Sequence, residues 1–120
     1  MSKLIFVFLL LSSSCFADPW TKDDTYREAT YLTLHAIDWA RTRGLAKNEW
    51  NDGRYESNII LGKHPTVFEV DLYMLTTAFA HVGIAKLLDN KWRLAFQYMS
   101  IGIEGGVVIR NFRAGVRVPF

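Results

Sequence analysis

The chain has 120 residues, half of them hydrophobic and 14% aromatic, with a formal net charge of +2. This length suits one domain, and such an apolar composition excludes a disordered chain. A near-neutral balance without an Arg/Lys run gives no footing for nucleic-acid binding. Cys15 is the one cysteine, so an intrachain disulfide and any multi-cysteine metal site are excluded.

Residues 1–17 read as a signal peptide. Lys3 supplies the positive start, Leu4 to Leu11 form a short apolar run, and Ser12, Ser13 and Ser14 break it. Cys15 and Ala17 then stand three and one positions before a cut. Cleavage before Asp18 leaves one domain over residues 18–120. Two readings compete with it. Lipidation at Cys15 would give an outer-membrane lipoprotein, but the Leu-Ser-Ser-Ser that precedes Cys15 fits poorly. An uncleaved anchor needs roughly 20 apolar residues, more than this run offers. The expectation is an exported protein of the inner membrane, with the periplasm as the second location.

The spacing predicts an all-α domain, a three-helix bundle. The first helix is expected over 25–43, opened by a Thr25-x-x-Glu28 capping box and stopped at Gly44. The second is expected over 67–88, opened by Thr66-x-x-Glu69 directly after His64-Pro65. The third is expected over 91–111 with Asn90 as its N-cap. The link around Asp89-Asn90 is short, which makes helices two and three antiparallel neighbours. Asn51-Asp52-Gly53 marks a turn between helices one and two.

Membrane embedding is expected from the polar residues. Tyr31, His35, Asp38 and Thr42 fall on one stripe of helix one, Tyr73, Thr77 and His81 on helix two, and Gln97, Ser100, Glu104 and Asn111 on helix three. A stripe facing water is usually rich in Lys, Glu and Arg. These sparse stripes suit a hydrogen-bonded bundle interior instead. Gly102-x-x-x-Gly106 permits close helix contact. Trp20, Trp39, Trp50 and Trp92 stand near helix ends, as interfacial aromatics do. Arg41, Arg43, Lys47, Arg110, Arg113 and Arg117 give a positive-inside bias, which Lys86, Lys91 and Arg93 blur.

Read together, Asp38-x-x-x-Thr42 and Glu56-x-Asn58-x-x-x-Gly62 resemble a group of small helical, membrane-associated proteins of proteobacteria and their phages. Ile59 stands where that pattern often has Pro. The resemblance spans most of the chain after the leader and implies no activity, since none is assigned to the group.

The candidate site is a polar core network or ligand site made of His35, Asp38, Thr42, Thr77, His81, Gln97, Glu104 and Asn111. In its structural form, Asp38 or Glu104 pairs with His35, Arg41 or a threonine to fix helix register. His35, Asp38, His81 and Glu104 carry donors suited to Zn²⁺, Fe²⁺ or Mn²⁺, but the antiparallel second helix sets His81 apart from Asp38 and Glu104. A proton-handling or ligand-handling role is the third form. Glu56, Asn58 and His64 are read as loop contacts or caps. No nucleophile motif or phosphate-binding loop is present, so no enzyme activity and no cofactor are expected. The functional expectation is a non-enzymatic envelope protein that acts through protein contacts in the membrane. The alternative is a soluble periplasmic domain that binds a metal or small ligand through His35, Asp38, His81 and Glu104.

Overall fold

A computed structural model of the protein describes residues 18–50, 56 and 58–113. The expected signal peptide, the turn expected at Asn51-Asp52-Gly53 and the residues from 114 onwards lie outside the described residues. Those residues form α1 (Lys22–Lys47), α2 (Val67–Leu87) and α3 (Asn90–Arg113), with no strand among them.

The start of α1 differs from expectation. Thr21, not Thr25, is the N-cap: its side chain accepts from the Asp24 N–H, and the Asp24 carboxylate accepts from the Thr21 N–H at 2.8 Å. The same capping pattern therefore occurs twice in neighbouring registers, and the earlier copy is used. That frees Glu28 for the interior. Gly44 stays helical, and α1 runs on to Lys47, where Asn48 caps it and Glu49 and Trp50 turn the chain with positive φ. At α2 the Thr66–Glu69 box forms as read, each side chain accepting from the other residue's backbone N–H. Asn90 is the first residue of α3 and not its cap.

α1 is the central helix. Both α2 and α3 pack mainly on it and touch each other little. α3 lies parallel to α1 at a constant offset: Asp24 meets Arg93 and Glu28 meets Gln97, each 69 positions on, and His35 meets Glu104. α2 runs antiparallel, so that Glu28 meets His81, His35 meets Met74 and Trp39 meets Asp71. On α1 the inward positions are Asp24, Glu28, Tyr31, His35, Asp38 and Thr42, alternating steps of four and three. That is the 3.5-residue period of a coiled-coil seam, here filled with polar side chains.

Apolar packing is concentrated at one end. Ala46 and Trp50 close against Val70 and Met74, flanked by Trp39, Leu45, Val67 and Tyr73. Trp50 Nε1 donates to the Pro65 carbonyl at 3.0 Å, tying the end of α1 to the start of α2. Large apolar side chains otherwise point outwards: Phe68, Phe79 and Phe112 are each more than 70% exposed, and Leu72, Leu75, Met99, Ile103 and Ile109 are exposed as well. The buried set includes Asp24, Glu28, His35, Arg41, Thr42, His81, Arg93 and Gln97. The usual distribution of a water-soluble domain is thus inverted along most of the bundle. α2 is long and apolar enough to cross a membrane.

Candidate functional site

The interior seam holds two clusters of charged groups, one towards each end. The first is built on Arg93, which is 1% exposed. Its Nη1 donates to Asp24 Oδ2 at 2.9 Å and its Nε to the Ala85 carbonyl at 2.7 Å. Its Nη2 donates to the Asp18 carbonyl at 2.8 Å, and the guanidinium lies over the Trp20 ring. One side chain thereby joins α3 to α1, to the end of α2 and to the segment before α1. Burial alone would raise the Asp24 carboxyl. The Thr21 hydrogen bonds and the Arg93 guanidinium outweigh burial and hold that carboxyl below its ordinary range.

Arg27 pairs with the other Asp24 oxygen and donates from Nε to Gln97 Oε1 at 2.7 Å. Gln97 Nε2 donates in turn to Glu28 Oε1 and to the Asp24 carbonyl, both at 3.1 Å. Glu28 Oε2 lies 2.6 Å from His81 Nδ1. A carboxylate accepts, so Nδ1 carries the proton. The His81 ring is stacked between Tyr31, centroids 3.6 Å apart, and Phe96 at 4.4 Å. Its Nε2 is buried without a partner.

The second cluster centres on His35. Its Nε2 lies 2.9 Å from the Met74 carbonyl, which can only accept, so Nε2 carries a proton. The Thr77 hydroxyl is 3.2 Å from the same nitrogen and donates to the Tyr73 carbonyl at 2.8 Å. The opposite ring nitrogen, Nδ1, faces the Tyr31 hydroxyl and Glu104 Oε1, each at 3.5 Å. Asp38 pairs with Arg41 at 2.5 Å, Arg41 donates to Thr42 at 3.2 Å, and Asp38 also lies against Glu104. Glu104 Oε1 is buried with no hydrogen bond, as is Asn111 Nδ2.

Among the expected site residues, His35, Asp38, Thr42, Thr77 and Glu104 come together, while His81 and Gln97 belong to the first cluster. The four-donor metal centre is therefore split: His81 faces Glu28, and His35 faces Glu104. Among the described residues no group of three His, Cys, Asp or Glu side chains is placed to hold a metal ion. Glu56, Asn58 and His64 act locally. Asn58 Nδ2 donates to the Tyr73 hydroxyl at 2.7 Å, its Oδ1 accepts from the Ile60 N–H, and its carbonyl accepts from Gly62, whose φ of +83° favours glycine. Glu56 Oε1 accepts from the Asn58 N–H at 3.1 Å. The exposed His64 ring leans on Trp50.

Sequence reasoning missed Asp24, Arg27, Glu28 and Arg93 as interior groups. The signal was present: Asp24 and Glu28 extend the Tyr31, His35, Asp38, Thr42 stripe upstream at the same spacing, and Arg93 extends the Gln97, Glu104 stripe.

Comparison of the chain with protein-family models, with curated proteins and with solved structures gave no match.

Proposed function

We propose that the chain is a small exported protein embedded in the bacterial inner membrane, where its bundle acts through contacts with an envelope protein. One observation carries the membrane part. Among the described residues, no exposed charged side chain occurs between Tyr26 and Ala40 on α1, Leu72 and Ile84 on α2, or Leu94 and Ile109 on α3. The charges in those stretches lie within the bundle and are paired there: Arg27 with Asp24, Glu28 with His81, His35 with Glu104 and Asp38 with Arg41. The charge-free band is about 18–22 Å tall at 1.5 Å per residue. Lys86 and Lys91 at one edge and Glu69 at the other can extend to the headgroups, and the 21 residues of α2 cover about 31 Å, close to the thickness of a hydrocarbon core.

Local hydrogen bonding supports the same reading. The exposed Thr30 and Thr33 on α1 each donate to the carbonyl four residues back at 2.8 Å, as does Ser100 on α3 at 2.7 Å. Hydroxyls satisfied within their own helix suit lipid as a neighbour. Trp20 and Trp92 at one edge, and Trp39 at the other, stand where interfacial aromatics are enriched.

The interior clusters give each helix one depth and one rotation, as a docking scaffold requires. A soluble domain with a metal is disfavoured by the splitting of His81 from His35 and Glu104. The test is fractionation of cells carrying a C-terminally tagged chain, followed by carbonate extraction. The tagged chain is expected to stay with the inner-membrane pellet; recovery in the soluble periplasmic fraction would reject the embedding.

A further inference from the structure

A surface groove of about 340 Å³ lies between α1 and α2, lined by Trp39, Arg43, Phe68, Asp71, Leu72 and Leu75. Its walls are apolar except for one pair of opposite charges. Arg43 Nε donates to both Asp71 oxygens, at 3.1 and 3.3 Å, and Trp39 Nε1 donates to Asp71 Oδ1 at 2.8 Å. Arg43 and Asp71 stand at the edge of the charge-free band, which ends at Ala40 on α1 and begins at Leu72 on α2. Leu72, Leu75 and Phe79 follow at steps of three and four on one face of α2, and all three are exposed. The groove thus has a charged mouth at the edge of the band and an apolar run that leads into it.

This pair differs from the buried pairs of the seam. The Arg43 and Asp71 side chains are 41% and 36% exposed. Among the described residues Arg43 bonds through Nε alone, so its two terminal amino groups remain as donors. A carboxylate offers about four acceptor positions. Asp71 Oδ1 takes Trp39 and Arg43, and Oδ2 takes only the longer Arg43 contact, which leaves Oδ2 with room for a further donor. A set of cationic donors thus stands beside an anionic acceptor, above an apolar run.

We propose that this groove binds one zwitterionic aminophospholipid, of the phosphatidylethanolamine class. The lipid phosphate accepts from the terminal amino groups of Arg43. Its ammonium donates to Asp71 Oδ2, and an acyl chain lies along Leu72, Leu75 and Phe79. Phosphate and ammonium are joined by a short ethanolamine link, so they reach neighbouring groups. Charge complementarity selects this occupant. The Arg43–Asp71 pair is neutral, so an anionic headgroup gains Arg43 but meets the Asp71 carboxylate with nothing to offer it. A choline headgroup carries the same charges as ethanolamine but has no N–H to donate. Trp39 and Arg43 together hold the carboxylate in place for the ammonium. The proposal rests on the membrane reading, since embedding is what brings lipid to the groove.

The experiment is native mass spectrometry of the full chain released from detergent micelles, titrated with phosphatidylethanolamine, phosphatidylcholine or phosphatidylglycerol of identical acyl chains. The first is expected to bind about tenfold more tightly than either of the others, the effect of one charge-assisted hydrogen bond. Equal binding of the ethanolamine and choline lipids, or a preference for phosphatidylglycerol, would overturn the proposal. Asp71→Asn is expected to abolish the preference for ethanolamine over choline, and Arg43→Gln to weaken both lipids together; a preference that survives Asp71→Asn would also overturn it. Should the variants not fold, phosphatidylethanolamine with a photoreactive acyl chain decides on the unmodified chain: labelling is expected at Leu72, Leu75 or Phe79, and labelling confined to α3 would reject the groove. Flotation of the same chain with vesicles separates the two readings. A chain that does not float rejects the embedding and the lipid site with it, whereas a chain that floats without headgroup preference rejects the lipid site alone.

Discussion

The guanidinium of Arg93 meets the carboxylate of Asp24 at 2.9 Å with both side chains almost wholly buried. The same guanidinium satisfies carbonyls of Asp18, Pro19 and Ala85. It is the point where α1, α2 and α3 are fastened at one end. Replacing Arg93 by Met leaves Asp24 short of a partner and three carbonyls short of a donor. The expected loss is about 3–5 kcal/mol of stability, read from chemical unfolding in micelles. Arg93→Lys is expected to restore only part, because an ammonium cannot make the same fork. The Asp24 carboxyl is held below its ordinary range, so its contribution is complete above that range and is lost as pH falls through the lowered value.

His81 and Glu28 form the second fastening, between α1 and α2. His81→Ala removes the donor on Glu28 Oε2 and the ring stacked between Tyr31 and Phe96. A buried acceptor left short costs about 1–3 kcal/mol, and the vacated ring space adds to it. Adding Glu28→Gln to His81→Ala is expected to recover part of the loss. A double-mutant cycle on unfolding free energies reads this coupling.

Phe79 separates the two possible surroundings of the bundle. It is 72% exposed and stands midway along α2. In lipid, Phe79→Lys costs about 2.5–3.5 kcal/mol of insertion free energy, so the variant is expected to accumulate poorly in membranes. On a water-exposed surface the same change stays within about 0.5 kcal/mol. Membrane abundance of the variant, measured against Thr66→Ser as a control, distinguishes the two.

The start of α2 depends on its capping box. Thr66→Ala removes the acceptor for the Glu69 N–H and is expected to cost about 1 kcal/mol. Hydrogen exchange is expected to rise in the first turn of α2 and to stay unchanged in α3.

The three helices were legible because their punctuation is local. Thr66-x-x-Glu69 and the short Leu88-Asp89 link set α2 and α3 to within two residues of their observed ends. The start of α1 was not, because Thr21-x-x-Asp24 and Thr25-x-x-Glu28 satisfy the same pattern and only packing chooses between them. That choice concealed Glu28, which a cap would leave in solvent and which the fold buries against His81. Tyr31, His35, Asp38 and Thr42 were legible from spacing, since one helix face is fixed by sequence. Which carboxylate meets which histidine depends on the antiparallel run of α2 and the parallel offset of α3, and no local pattern encodes those. Arg93 was misread as a charge at a membrane edge. Its position is near a helix end, but its long side chain folds back into the seam.

The claim that the polar seam faces inward while the apolar faces meet lipid is tested most directly by spin-label accessibility. In a Cys15→Ser background, single cysteines at Phe79, Ile103 and Thr77 are labelled and the full chain is placed in bilayers. Labels at 79 and 103 are expected to collide with dissolved oxygen and to be shielded from a water-soluble paramagnetic chelate, with the label at 77 shielded from both. Free collision of labels 79 and 103 with the aqueous chelate would contradict the account.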